Sequence, residues 1–358
     1  MIAEEMIDIT KITASRLPSV DFENLPFGRV FSDHMMVVEY KDGTWLTPQI
    51  VPFEPIPMNP ATSVIHYGQS IFEGMKAFKS ANGELLLFRP EENMKRLNIS
   101  AKRMCMPEIP EAIFKQGLLT LLDMDRDWVQ GDEESSLYIR PFMFATDEYI
   151  GVKPSSTYKF MIFTCPVKKY YSGSVKVKIE EHYARSMSGG TGYAKAAGNY
   201  AASLYPAKLA QAEGYDQLLW TDAKEHKFIE ESGTMNVVFR SGNTVFSPKV
   251  SETILRGITR ESVLQLAKDY GYDVEERPIE VAEIVGLLEK GELHEAFGAG
   301  TAATIAPIST IHFRGTDFEL PEVNTWTFAN KVKTHLTDIK RGRSEDPHNW
   351  VSTVPKKG

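Results

Sequence analysis

The chain runs twice through an alternation of short apolar strand patterns and amphipathic helix patterns, which restricts it to a mixed α/β architecture. In the first run, "MMVVEYKDGTWL" predicts a hairpin turning at Asp42-Gly43. "GELLLF" predicts a strand, and Pro90 opens a helix over "PEENMKRLNISAKRM", in the first-turn position that proline favours. A second helix is expected over "EAIFKQGLLTLLDM", followed by strands over "SLYIRPFMF" and "YKFMIFTCPV". The second run starts with a helix after Lys195 that ends at Gly214, with Pro206 in its first turn or kinking it. Strands follow over "YDQLLWTD", "KFIE", "NVVFR" and "TVFSP". "RESVLQLAKDYG", with Val263, Leu264, Leu266 and Ala267, reads as an amphipathic helix stopped by Gly271. A helix over "EVAEIVGLLEKG", a strand running into a loop over "HEAFGAG" and a closing helix over "PEVNTWTFANKVKTHLTDIK" complete the pattern. The tail beyond Arg341, charged and proline-containing, is expected to be mobile.

Between the runs lies "PVKKYYSGSVK", with the proline, glycine and charges of a linker. A chain of 358 residues suits two cores. The expected organisation is a small N-terminal α/β domain over residues 1–166, a linker over 167–177 and a larger C-terminal domain over 178–358. A net charge of -8 argues against a nucleic-acid partner, which would need clustered excess Lys and Arg. The start, "MIAEEMIDIT", has neither the basic and apolar regions of a signal peptide nor the composition of a transit peptide. No stretch approaches the roughly 18 consecutive apolar residues of a membrane span. Only Cys105 and Cys165 are present, which suits a reducing compartment and excludes a disulfide framework. These features predict a soluble cytoplasmic enzyme.

Lys195 sits in "GGTGYAKAAGNY" among the smallest side chains, where backbone or ligand can approach closely. A phosphate-cradling loop is a poor match, because Ala196 stands where Ser or Thr would hold magnesium. A Schiff-base lysine fits, and so does a surface lysine on a glycine-rich loop. "IEESGTMNVVF" adds Glu230 and Glu231 at a strand end, pointing to opposite faces if the strand continues. A pyridoxal cofactor needs one carboxylate against its ring nitrogen; solvated acids are the plainer reading of this motif alone. "RGITRES" places Gly257, Ile258 and Thr259 at the start of a helix, where phosphate or an ordinary N-cap would sit. "FGAGTAATIAP" offers a second tight loop around Thr301. In "LYIRP", Tyr138 and Arg140 share a strand face and can grip a carboxylate or form a surface pair, while Leu137 and Ile139 face the core.

Together these residues resemble the branched-chain amino acid aminotransferases, within the class IV, fold type IV pyridoxal-phosphate enzymes. The match runs from Phe27 to Phe313, through "GRVFSDHMMVVEY", "VIHYGQSIFEGMKAFK", "FRPEENMKRL", "YIRP", "GGTGYAKAAGNYAAS", "EESGTMNVVF", "RGITRES" and "FGAGTAA" in order. The resemblance implies two α/β domains with pyridoxal 5′-phosphate at their interface and Lys195 as Schiff-base lysine and acid–base catalyst. It assigns the phosphate to Arg96, Ile258, Thr259 and Thr301, the cofactor's phenolate oxygen to Tyr200 and its ring nitrogen to Glu231. Phe31, Tyr67, Phe72, Tyr138, Arg140, Thr234 and Ala302 would line the substrate pocket. Tyr67, Ile150 and Val152 would reach a partner subunit's site, which implies a homodimer. The implied reaction moves the amino group of L-leucine, L-isoleucine or L-valine to 2-oxoglutarate, giving the 2-oxo acid and glutamate. D-amino acid aminotransferase and aminodeoxychorismate lyase share the fold and are the alternatives within it; a nucleotide-binding module is the alternative outside it. The chain departs from the family at Ala303 and Ala306, where some members carry a Cys-x-x-Cys pair, and at Arg256, where proline is common. Cys105 and Cys165 lie far in sequence from every motif, so mild oxidants are expected to have little effect.

Overall fold

The computed structural model describes residues 7–168 and 173–356. Residues 169–172, inside the expected linker, lie outside the described residues. The chain divides into two compact units, one of Met1–Tyr170, Ala194–Ala197 and Asp338–Gly358, the other of Tyr171–Tyr193 and Gly198–Thr337. The α-helices among the described residues are α1 (Ser63–Tyr67), α2 (Pro90–Arg103), α3 (Glu111–Met124), α4 (Ala197–Ala212), α5 (Ile258–Asp269), α6 (Val281–Glu289) and α7 (Phe328–Lys340). Pro206 lies in the interior of α4 and not in its first turn.

The first unit is built on a sheet ordered Asp8–Ile9, Gln49–Pro52, His34–Lys41, Tyr158–Val167, Ser136–Ala145, Met75–Lys79, Leu85–Phe88 and Val351–Val354. The predicted hairpin forms, with Asp42 and Gly43 at φ of 52° and 80° between His34–Lys41 and Thr44–Trp45. Leu97 and Ala101 of α2 and Ile113, Phe114, Leu118 and Leu121 of α3 cluster with Leu137, Ile139, Phe160 and Ile162 of the sheet. Each of the Leu, Ile and Phe side chains, fully buried, contributes roughly 1.5–3 kcal/mol. Because side chains alternate along a strand, this core turns Tyr138, Arg140 and Phe142 to the opposite face. The tail after Arg341, expected to be mobile, instead carries the strand Val351–Val354, paired with Leu85–Phe88. Trp350 adds an edge-on ring contact to Phe88. Four residues are too short a pattern to stand out beside the charges that precede them.

In the second unit Val175–Ile179, Gln217–Thr221, Phe228–Ser232, Met235–Ser241, Glu295–Gly300 and Thr304–Phe313 pair in succession, and the last pairs back with the first. The ring closes as a barrel, which leaves its members without an open edge. Thr304–Phe313, a strand of 10 residues, goes unforeseen in the sequence because Pro307 interrupts its pattern.

The closing helix also differs from expectation: α7 begins at Phe328 and not near Pro321. Glu295 sets that start. Its carboxylate is fully buried and accepts the N–H groups of Thr327 (3.0 Å), Phe328 (3.0 Å) and Ala329 (2.7 Å), with Arg240 Nε at 2.8 Å. The same residue opens the strand that delivers Thr301. Glu295→Ala leaves Arg240 and three helix N–H groups without their acceptor, so urea unfolding should register a loss of about 3–5 kcal/mol. A loss within about 1 kcal/mol of zero would show that water replaces the carboxylate at no cost.

Candidate active site

Lys195 is held through its main chain. Its N–H donates to Ser100 Oγ at 2.8 Å and its carbonyl accepts the Phe72 N–H at 3.1 Å. Ala196 forms a bridge to Ile71, and both Ala194 and Ala196 are buried. The small neighbours are therefore core residues, and the surface-loop reading of this stretch fails. The Lys195 Nζ stands 4.9 Å from the centre of the Phe72 ring. Ser100, on α2, also donates to the Arg96 carbonyl at 3.0 Å, one helical turn back. The Arg96 side chain turns to Glu73, with Nε–Oε1 at 2.7 Å and Nη2–Oε2 at 2.8 Å. Burial pushes the Glu73 carboxyl up, but the Arg96 guanidinium, with Lys195 and Asn93, outweighs it and holds the group below the usual glutamate range. Nothing in the sequence singles out Glu73 except its place between Phe72 and Gly74.

On the same unit Arg140 lies over Phe72 at 4.6 Å and over Tyr138 at 5.3 Å, and its Nη2 donates to the Tyr138 hydroxyl at 3.0 Å. Its Nε is buried without a hydrogen-bond partner among the described residues. Gly74 makes room for the phenol: a Cβ there would sit 2.3 Å from Tyr138 Oη. Phe31 stacks on Phe53 at 4.7 Å and packs with Tyr138 and Cys165. Cys165, remote in sequence from the motifs, is the direct cross-strand neighbour of Tyr138. Burial pushes its thiol up to about 11, against the opposing pull of Arg140 and Lys76. Tyr67, Ile150 and Val152 stand apart from this group, 44%, 67% and 91% exposed.

The second unit holds the remaining residues. Glu231 pairs with Asn236 across the tight turn at Gly233-Thr234. Its Oε1 accepts the Leu255 N–H at 2.7 Å and Asn236 Nδ2 at 3.3 Å, and Arg185 Nε lies 3.0 Å from Oε2. Asn236 Nδ2 also donates to the Leu255 carbonyl at 2.9 Å. A Cβ at Gly257 would fall 1.7 Å from Asn236 Oδ1, which is why glycine precedes α5. Ile258 and Thr259 then occupy the first turn of α5, at the positive end of its dipole. Arg256, in the place common for proline, pairs with Glu261 at 2.9 Å. Thr301 and Ala302 lie in the turn between Gly300 and Thr304. Tyr200, Glu231 and Thr234 line one pocket together with Arg185, Asn199, Ser203 and Gly233. Arg185 has no sequence signal, because the contact that gives it meaning joins residues 46 positions apart (231 − 185).

Known proteins match over most of the chain. The profile of the amino-transferase class IV family covers residues 70–311, and the chain belongs to that family. It is 45% identical over 341 residues to a probable branched-chain-amino-acid aminotransferase of Staphylococcus epidermidis, covering 94% of this chain and 95% of that one. It is 42% identical over 348 residues to branched-chain-amino-acid aminotransferase 2 of Bacillus subtilis, covering 96% of each. Among solved structures, the branched-chain aminotransferase of Thermoproteus uzoniensis with norvaline superposes with a TM-score of 0.74 at 26% identity, over 90% of this chain and 100% of that one. The branched-chain amino acid aminotransferase of Thermobaculum terrenum in its PLP-form gives 0.71 at 23% identity, over 90% and 98%, a likeness of fold. The mixed α/β fold is that of these enzymes.

The two adjacent glutamates are not equivalent. Glu230 takes the Thr253 hydroxyl on Oε1, while its buried Oε2 has no partner among the described residues, and burial pushes its carboxyl up. With its folded pKa above the unfolded one, the folded state binds more protons, so this group costs stability as pH rises through and above the ordinary glutamate range. Glu230→Gln should therefore gain stability on the native protein between pH 4 and pH 7, with activity little changed. Urea midpoints at the two pH values check it, and a gap that narrows with rising pH would contradict the assignment.

Proposed function

We propose that this aminotransferase moves the amino group of L-leucine, L-isoleucine or L-valine to 2-oxoglutarate with pyridoxal 5′-phosphate, as a homodimer in the cytoplasm. The observation that carries the substrate reading is the aromatic cluster on one face of the first sheet, where Phe31 packs with Tyr138 and Arg140 lies over Phe72 and Tyr138. Phe31 and Phe72 suit a branched aliphatic side chain. Arg140, with a buried Nε lacking a partner among the described residues, suits the second carboxylate of 2-oxoglutarate. The names of the relatives agree with this reading.

The donor set fits the cofactor: a primary amine at Lys195, a phenol and a buried carboxylate lining one pocket at Tyr200 and Glu231, and a helix N-terminus at Ile258. When bound, the cofactor supplies an electron sink that lets the amino acid's Cα–H bond ionise. Lys195 Nζ would hold the cofactor and carry the proton at that carbon. Arg96, Thr301 and the main-chain N–H groups of Ile258 and Thr259 would hold the phosphate. Tyr200 would serve the phenolate oxygen. Glu231, fixed by Arg185, Leu255 and Asn236, would serve the ring nitrogen, and Thr234 and Ala302 the substrate. The exposure of Tyr67, Ile150 and Val152 supports a second copy that covers them, since large apolar side chains are costly to leave in water. Two free cysteines suit a reducing compartment. Among the described residues no helix is long and apolar enough to cross a membrane.

Lys195→Ala and Lys195→Arg should both abolish transamination of L-leucine while the far-ultraviolet spectrum stays native; arginine keeps the charge but supplies no nucleophile. The native enzyme should absorb visible light and lose that band on borohydride reduction, and D-leucine should not be a substrate. Substantial turnover by either Lys195 variant ends the proposal. Arg140→Met should slow the 2-oxoglutarate half-reaction more than the leucine half-reaction in single-turnover experiments. Equal losses in both would assign Arg140 to orienting Tyr138 instead.

A further inference from the structure

The function proposed above uses Arg96 but leaves Glu73 without a part. Glu73 has no exposed surface. A carboxylate so placed must be matched by donors or charge, and here the matching is unusually full. Arg96 Nε and Nη2 engage its two oxygens at 2.7 and 2.8 Å, Asn93 Nδ2 donates to Oε2 at 2.8 Å, and the Gly74 N–H donates to Oε2 at 3.1 Å. Asn93 and Arg96 lie three apart on α2, so one helix face supplies both.

The guanidinium is a rigid planar fork. With two of its nitrogens committed to Glu73, its plane and the direction of Nη1 are fixed before any ligand arrives. Glu73 also follows Phe72, whose N–H holds the Lys195 carbonyl, while Ser100 on α2 holds the Lys195 N–H. The contacts form a closed circuit: Lys195 to Ser100, Ser100 to the Arg96 carbonyl, the Arg96 head to Glu73, and Phe72 back to Lys195. We infer that Glu73 is a positioning residue for the cofactor's phosphate, acting through Arg96 and setting its distance from Lys195. This inference rests on the reading of Arg96 as a phosphate ligand.

Orientation and simple charge predict opposite outcomes. Replacing Glu73 with neutral glutamine removes a negative charge beside an anion site, which by Coulomb's law alone would tighten phosphate binding. Loss of the fork loosens it, because the ligand must then immobilise Arg96 itself. The full chain, stripped of cofactor, is titrated with pyridoxal phosphate and with pyridoxal, following tryptophan fluorescence. For Glu73→Gln the Kd for pyridoxal phosphate should rise at least tenfold and that for pyridoxal less than threefold. In an Arg96→Met background, Glu73→Gln should add less than a further twofold. Asn93→Ser removes one donor from Glu73 without a change of charge. It should give the same selective loss, at least threefold, and serves if the glutamine variant melts early by circular dichroism. Unchanged or tighter pyridoxal phosphate binding, equal losses for both ligands, or additive effects with Arg96→Met would overturn the inference. If Arg96→Met alone spares the preference for the phosphorylated ligand, the reading of Arg96 falls and this one with it. If Arg96→Met abolishes the preference but Glu73→Gln does not, only the role of Glu73 falls.

Discussion

The pinning of Lys195 at both of its main-chain polar groups is the constraint on which the rest of the site depends. One anchor comes from Ser100 on α2 and the other from Phe72 on the strand Ser70–Phe72. A residue held this way keeps its Cα in place, while its four-carbon stem lies beyond both main-chain anchors. Attaching to one partner and carrying a proton to another asks for that combination. Buried alanines on either side close off larger neighbours. The short segment thus behaves as core in its backbone, and the role proposed for it falls to its side chain.

Each unit has its own electrostatic solution. The first sets a bidentate ion pair against full burial at Glu73 and leaves Arg140 with unspent hydrogen-bonding capacity. The second concentrates donors on Glu231 and starves its neighbour Glu230. Glu231 pairs with Asn236 across the hairpin, whereas the register with Gln217–Thr221 skips Glu230, so the two neighbours sit differently in the sheet. Asn236 reaches Leu255 from that pair, so the carboxylate and the start of α5 are fixed by one amide. On the proposed reading, the contact made by Glu231 and the contact made at the start of α5 are therefore not independent.

Much of this was legible from the sequence because it is local. α3 and the strand Tyr158–Val167 lie where their patterns predict, and α2 falls one residue short of its predicted end. The strand face shared by Tyr138 and Arg140 follows from alternation alone. What escaped is what long-range pairing creates. Cys165 gains its position beside Tyr138 from strand register, Arg185 meets Glu231 only in the folded barrel, and Glu73 becomes notable only once Arg96 turns to it. Thr304–Phe313 and Val351–Val354 are strands because neighbouring strands accept them, against weak patterns of their own.

The strand Val351–Val354 has a consequence for how the protein is made. Leu85–Phe88, three consecutive leucines and a phenylalanine, acquires its outer neighbour from a strand that begins 263 positions later (351 − 88). On the ribosome, the first sheet therefore waits with an apolar strand uncovered on one side until Val351–Val354 has emerged. Such an edge is a template for pairing with another nascent chain. Chaperone dependence during synthesis, and the damage done by a chain broken off before Val351, should both concentrate on this one strand, far in sequence from the residues that cover it.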